Sequence, residues 1–219
     1  MELKPFYSKT LEVKECLVMT YKDPFRKKRE IISKYDSTST FYNERYAEIQ
    51  KEKYRYFLKE PEINLKRILD AGCGSGLLIT KFYDIIKTSI INRFLYVGID
   101  ISLNMLKLAK SLMRTCEKSG KYQLILADLE NLPIRENVFQ SIFSITSLQN
   151  LNDIKQGLFE INRIAKNGAY LNISILKKQL DSSQFITILN SYCLISTVDE
   201  PENIEDLFIK GRIIKKEKR

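Results

Sequence analysis

The sequence predicts an α/β fold, doubly wound, with a mostly parallel sheet of seven strands and an antiparallel strand near the C-terminus. Three observations carry this. From residue 67 onward, short β-rich runs alternate with longer segments of helical periodicity. The first run ends in a cluster of glycines from which a helix starts at once. The last two strand-like runs are joined by a polar loop, residues 199–205, rather than by a helix, and a hairpin there reverses one of them.

The elements follow in order. Arg67–Ala71 reads as a buried strand and Leu77–Lys87 as a helix with apolar residues three and four apart. Phe94–Ile99 is the second strand. The helix after it, Ser102–Lys118, has Ser102 as its N-cap and Leu103, Leu106, Ala109 and Met113 as its apolar stripe. Tyr122–Ala127 and Val138–Ile145 are the third and fourth strands, and Ile154–Ala165 the next helix. Gly168 marks a tight turn before a fifth strand, Ala169–Leu176; a helix over Ser182–Asn190 and strands over Tyr192–Val198 and Leu207–Ile214 complete the chain.

Residues 1–60 read as an extension, partly helical, to a domain spanning 61–219. Within it Tyr42–Lys59 is strongly periodic, with Tyr46, Ile49, Tyr54, Phe57 and Leu58 on its apolar face. The first 30 residues fit a short hairpin or an additional helix. The expected role of the extension is to cap a substrate or cofactor, or to dock a partner.

Composition removes several function classes. A chain of 219 residues with 44% hydrophobic content buries an ordinary globular core. No run reaches the roughly 18 to 20 apolar residues of a membrane span, and the N-terminus lacks the apolar core of a secretory signal, so a cytoplasmic protein is expected. Cys16, Cys73, Cys116 and Cys193 are scattered, with no C-x-x-C pair and no histidine anywhere, so no metal site is expected. The absence of histidine also excludes every mechanism with an imidazole base. Net charge is +9, with basic clusters at Arg26–Arg29 and Lys215–Arg219, a balance that admits RNA among the partners.

The chemistry is concentrated at strand ends. Ile68–Gly76 reads I-L-D-A-G-C-G-S-G: a strand, an acid, then three alternate glycines and a helix. Glycines let a ligand approach the backbone, and the helix N-terminus offers free N–H groups. The dinucleotide fingerprint fails, since its third glycine falls at Leu77, and no phosphate-binding G-K-[ST] follows. Asp100 ends the second strand and Asp128 follows the third, so three successive strand ends carry an acid on one rim. A carboxylate at position 100 is placed to accept from both hydroxyls of a ribose, and one at 128 from an adenine amino group.

These segments, I-L-D-A-G-C-G-S-G, V-G-I-D-I-S-L-N-M-L, L-A-D-L-E-N-L-P and S-I-T-S-L-Q-N-L-N-D, resemble motifs I to IV of class I, Rossmann-like methyltransferases that use S-adenosylmethionine (SAM). The likeness is to the small ubiquinone/menaquinone-biosynthesis and archaeal type and extends over residues 33–214. It implies that Asp70 and the loop Gly72, Cys73, Gly74 and Gly76 hold the methionine part of SAM. It likewise gives Asp100 the ribose, Ile101, Asp128 and Leu129 the adenine, and Ser147 the methionyl end. Tyr35 and Tyr42 resemble the family's cofactor-capping tyrosines, although Asn43 stands where the pattern has an acid. Gln149 and Asn150 sit on the same rim as candidates to orient an acceptor.

Methyl transfer from a sulfonium is an in-line displacement that asks mainly for proximity and alignment, and it suits a chain without histidine. Positions 147–150 read S-L-Q-N rather than the [DNS]-P-P-[YFW] of enzymes that methylate amide or base nitrogens. Cytosine C5 methylation is disfavoured because no cysteine is placed as its nucleophile. The acceptor is left open between a small molecule, RNA and protein. A requirement for a small activator protein and a SAM-binding subunit without catalysis are the competing readings.

Overall fold

The computed structural model describes Asp23 and residues 25–58, 63–87, 94–114 and 121–215. The possible hairpin or helix over the first residues, Cys16, Cys116, the end of the helix expected to reach Lys118, and positions 216–219 of the C-terminal basic cluster lie outside the described residues. The rest forms a seven-stranded sheet in the order β3-β2-β1-β4-β5-β7-β6. Its strands are β1 (Arg67–Ala71), β2 (Leu95–Asp100), β3 (Lys121–Leu126), β4 (Phe139–Ile145), β5 (Ala165–Leu176), β6 (Cys193–Asp199) and β7 (Asp206–Ile213). β7 alone runs against its neighbours, pairing antiparallel with both β5 and β6. The expected hairpin is therefore present, with β7 inserted between β5 and β6.

Among the described residues five helices accompany the sheet: α1 (Arg26–Leu58), α2 (Leu77–Lys87), α3 (Leu103–Met113), α4 (Ile154–Ile164) and α5 (Ser182–Leu189). The central strands are apolar on both faces because helices cover both. Leu69, Val97, Ile142 and Leu171 pack with Leu158 and Ile161 of α4 and Phe185 and Leu189 of α5. On the opposite face Ile68, Tyr96, Phe143 and Phe208 pack with Tyr54 and Phe57 of α1 and Leu78, Ile79 and Phe82 of α2. Among the described residues no helix is long and apolar enough to cross a membrane.

Two elements differ from their sequence outline. The N-terminal helix begins at Arg26, sixteen residues before the expected start at Tyr42 (42 − 26). Its first half has no apolar repeat and contains Ser37, Thr38 and Ser39, whose hydroxyls donate back to Lys34 and Asp36 carbonyls. Docking across the strand ends holds it helical: Asp36 Oδ1 accepts from Ser102 Oγ at 2.5 Å and from the Asn104 N–H at 3.3 Å, joining α1 to the start of α3. Ser102 Oγ in turn accepts from the Met105 N–H, so the expected N-cap of α3 is present. At Gly168 the expected turn is an irregularity inside β5: Phe139 pairs with Ala165 but Ser141 already pairs with Tyr170, and Gly168 takes φ +74° within the extra residues.

Candidate functional site

The direction of winding reverses between β1 and β4, which pair in parallel although they are distant in sequence. Such a switch point opens a crevice at the carboxyl ends of the strands. A cleft lies there, enclosing about 720 Å³ when the open solvent at its mouth is included. Its floor and sides come from the strand ends: Gly72 and Gly74 after β1, Asp100 and Ile101 at β2, Asp128 and Leu129 after β3, and Ser147 after β4. Helix α1 closes the remaining side with Lys28, Ile31, Tyr35 and Tyr42, and Asn150 and Leu151 complete the rim.

Asp100 is the best organised group. Its Oδ2 accepts from the Gly74 N–H and its Oδ1 from the Ser102 N–H, both at 2.8 Å, and the Ile101 N–H also acts on the carboxylate. Burial raises its pKa and those backbone donors oppose the rise. Gly74 (φ +53°) occupies a backbone conformation that favours glycine, and a Cβ built there would meet no atom within 4 Å. The backbone is thus bare to whatever enters the cleft at that point. Gly72 (φ +81°) is closed on its other side, where a Cβ would lie 2.4 Å from Ser147 Cβ.

At the β3 end, Asp128 Oδ1 accepts from the Glu130 N–H at 2.9 Å. Its Oδ2 receives Lys28 Nζ at 2.6 Å, and the same ammonium reaches Glu130 Oε2 at 2.5 Å. Burial pulls the Lys28 pKa down, but the hydrogen bonds and charges of the two carboxylates outweigh it and leave the group above its ordinary value. Glu130 Oε1 also accepts from the Asn152 and Asp153 N–H groups, which ties the β4–α4 loop to the same point.

On the α1 side the rings of Tyr35 and Tyr42 meet edge-on, 6.2 Å between centroids, and Tyr42 continues to Tyr46 at 4.9 Å. Tyr35 Oη accepts from Asn150 Nδ2 at 3.1 Å. Burial raises both phenols, Tyr42 more strongly, so neither serves as a base near neutral pH. Asn43 donates no charge; its Oδ1 accepts from Ser75 Oγ at 2.5 Å and holds α1 against the glycine loop.

Four of the residues expected at the site lie behind the cleft wall. Asp70 shares the face of β1 with Ile68, two positions earlier, and that face looks into the core under α1. Its carboxylate accepts a hydrogen bond from Tyr96 Oη, and burial pushes it up to about 7 against that bond, with the Asp100 charge adding to the rise. Cys73 is buried too; desolvation first, then Asp70 and Asp100, raise its thiol well above the usual range, which removes it as a nucleophile. Gly76 (φ +79°) is a packing position, where a Cβ would stand 2.8 Å from Ala109 Cβ of α3. Gln149 is buried in the short 3-10 turn Leu148–Asn150, below the rim on which Asn150 stands. Among the described residues no three His, Cys, Asp or Glu side chains gather as a metal site requires.

Lys28, Ile31, Glu130, Ile145 and Thr146 are cleft residues that sequence reasoning missed. Glu130 carried a signal, lying two positions after Asp128 in the third motif. Lys28 lay in the basic cluster Arg26–Arg29, but that segment has no apolar periodicity to tie it to the site.

Residues 69–173 match the family model described as a methyltransferase domain. The chain carries a class I methyltransferase domain. That class uses SAM as its cofactor, and the mostly parallel seven-stranded sheet with its antiparallel β7 matches the fold of solved SAM-dependent methyltransferases. Among curated relatives, a malonyl-[acyl-carrier protein] O-methyltransferase of Hamiltonella defensa is 33% identical over 150 residues, covering 68% of this chain and 53% of its own. The enzyme with the same name from Buchnera aphidicola is 35% identical over 109 residues, covering 50% and 39%. The chain thus spans about half the length of the curated relatives it matches. Solved structures share the fold at low identity. A SAM-dependent methyltransferase from Aquifex aeolicus gives a TM-score of 0.61 at 20% identity over 74% of this chain and 89% of that one. A chain in the complex of the Haloferax volcanii Trm112 methyltransferase activator with a methyltransferase gives 0.66 at 15% identity, over 87% and 99%.

Proposed function

We propose that this protein transfers the methyl group of SAM to an acceptor, and that the cleft at the ends of β1 to β4 is where it does so. The observation that carries the reading is the convergence of Asp100, held by backbone N–H groups at the end of β2, the bare backbone of Gly74, and the Asp128 carboxylate in one cleft. These groups fit the cofactor. Asp100 would hold the ribose hydroxyls, Asp128 the adenine amino group with Ile101 and Leu129 against the ring, and Gly72, Gly74 and Ser147 the methionyl end. Bound SAM supplies an activated methyl group. The chain supplies alignment and, through Tyr35 and Tyr42 of α1, a wall that keeps water from it. Asp70, Cys73 and Gly76 act in this reading by shaping the loop from behind.

The acceptor class is broader. Relatives named as O-methyltransferases support oxygen as the acceptor atom, and a net charge of +9 supports RNA as a substrate. The alternatives, a SAM-binding regulatory or partner subunit without catalysis and an enzyme that needs a small activator protein, both draw support from the neighbour solved with an activator. In either case residues 1–60 are proposed as the cap over the site or the docking element.

Two measurements test this. Calorimetry should show binding of S-adenosylhomocysteine (SAH) that weakens at least about tenfold in Asp100→Ala, since hydrogen bonds to a charged group are worth roughly 1.5–3 kcal/mol. No binding by the native chain, or no change in Asp100→Ala, refutes the cofactor reading. Label moving from SAM into one fraction of a cell extract names the acceptor class; binding without transfer, restored by a co-purifying subunit, favours the partner reading.

A further inference from the structure

We propose that Lys53 is a positioning residue of the transfer site, holding through Thr146 the strained turn that brings the end of β4 to the cleft. This rests on the cofactor reading above. Along the rim the strand order sets Asp128, Asp100, Gly72 and Thr146–Ser147 in line, from β3 through β2 and β1 to β4. With adenosine at β3 and β2, the sulfonium end comes to the β1 and β4 ends. Thr146 is therefore a wall of the space in which the methyl group is exchanged.

Thr146 has φ 57°, a left-handed conformation that a β-branched residue rarely adopts without support. The support is a buried polar cluster built by four elements. The Thr146 N–H donates to Ser174 O at 2.9 Å and Ser174 Oγ at 3.1 Å, both on β5. Thr146 Oγ1 donates to Asp206 Oδ2 of β7 at 2.8 Å and accepts from Lys53 Nζ of α1 at 2.8 Å. Ser174 Oγ donates to the same Asp206 oxygen, and Lys53 Nζ reaches Asp206 Oδ1 at 2.8 Å.

Lys53 is 4% and Asp206 1% exposed. Two charges so deep in a protein stabilise it less than apolar side chains of similar volume would. Packing α1 to the sheet does not call for them, since Tyr54 and Phe57 on the neighbouring turn already do so. What the pair does is hold both ends of the Thr146 hydroxyl. The position of that residue is passed on: Ser147 follows and sits against Gly72, where no Cβ fits between them. Lys53 thus sets the spacing between the β4 end and the glycine loop without touching the cleft.

The test uses the full chain, with SAH affinity by calorimetry and the melting temperature measured on each variant. Lys53→Met alone leaves Asp206 charged and buried, and should lower the melting temperature. Lys53→Met with Asp206→Leu should recover it, yet bind SAH at least about tenfold more weakly. Adding Thr146→Gly to that pair should bring affinity back to within about threefold, because glycine takes φ 57° without support. A second comparison does not depend on the double variant folding: Thr146→Val should lose about tenfold in affinity and Thr146→Gly less than threefold. Full SAH affinity in the stable double variant, or in Thr146→Val, overturns the proposal. If the unaltered chain does not bind SAH, the cofactor reading itself has failed, and this inference with it.

Discussion

Gly72→Ala is the substitution whose cost the structure defines most closely. The residue has φ +81°, and a left-handed backbone costs an L-residue roughly 1–2 kcal/mol. Its new Cβ would stand 2.4 Å from Ser147 Cβ and 2.7 Å from Ser147 Oγ. Ser147 has nowhere to go: its Oγ bonds to Ala71 O at 2.8 Å and Ser144 Oγ at 2.6 Å, and Ser144 Oγ bonds to the same carbonyl. Relief of such overpacking by backbone shifts costs roughly 1–3 kcal/mol. The sum is roughly 2–5 kcal/mol, a large share of the roughly 5–15 kcal/mol that holds an ordinary domain together. Ser147→Gly removes both clashing atoms but not the left-handed strain. Urea unfolding of Gly72→Ala, Ser147→Gly and the double variant should therefore show a favourable coupling of roughly 1–3 kcal/mol, with the strain term left in the double variant. Additivity within about 0.5 kcal/mol, the usual limit for independent sites, would refute the contact as described.

Two further outcomes are expected. Lys28→Gln should bind SAH up to about fivefold more tightly than the native chain and with less dependence on salt. Its ammonium occupies the Asp128 oxygen proposed for adenine, and partly exposed pairs of this kind are worth roughly 0.2–1 kcal/mol; calorimetry at two ionic strengths that finds weaker binding refutes the overlap. Asp70, buried and raised from 3.8 to about 7, binds more protons folded than unfolded between those values. Its contribution to stability is full below the lower value and is lost as pH rises through the upper one. Urea melts should show a fall on the order of 4 kcal/mol across that window, attributable to Asp70; Asp70→Asn should remove it, and an unchanged slope in the variant would refute the assignment.

Legibility in the sequence followed the range of the interactions involved. β1 to β5 and α2 to α5 were placed within a few residues because each is a local pattern: apolar runs, helical stripes, Ser102 as a cap. Asp100 was legible in place, since its N–H donors come from the glycine loop and from the residues just after its own strand. Asp70 was legible as part of a motif but not in orientation. Whether its carboxylate meets the cleft or the core depends on the two-residue alternation of β1, and Tyr96, 26 positions away, decides it. Lys28 and Thr146 were visible only as members of a basic cluster and of the fourth motif, not in the contacts they make. Their partners lie 100 and 60 residues away in Asp128 and Asp206, and no periodicity marks either residue. The first half of α1 was missed for the same reason, since its helical state comes from contacts made across the strand ends.

That division bears on what the acceptor is. The matched methyltransferase domain, residues 69–173, contains every strand end that the cofactor reading uses. Helix α1 lies wholly before it, and it contributes Lys28, Ile31, Tyr35 and Tyr42 to the cleft and Lys53 to the support of the β4 turn. In the proposed reading, the strand-end contacts to the cofactor lie in the segment that the family model matches, while α1 adds a wall of the cleft from a segment that it does not match. Substitutions on the exposed and cleft-facing positions of α1 should change which fraction of an extract takes up label, whereas changes at Asp100 should lower all transfer alike.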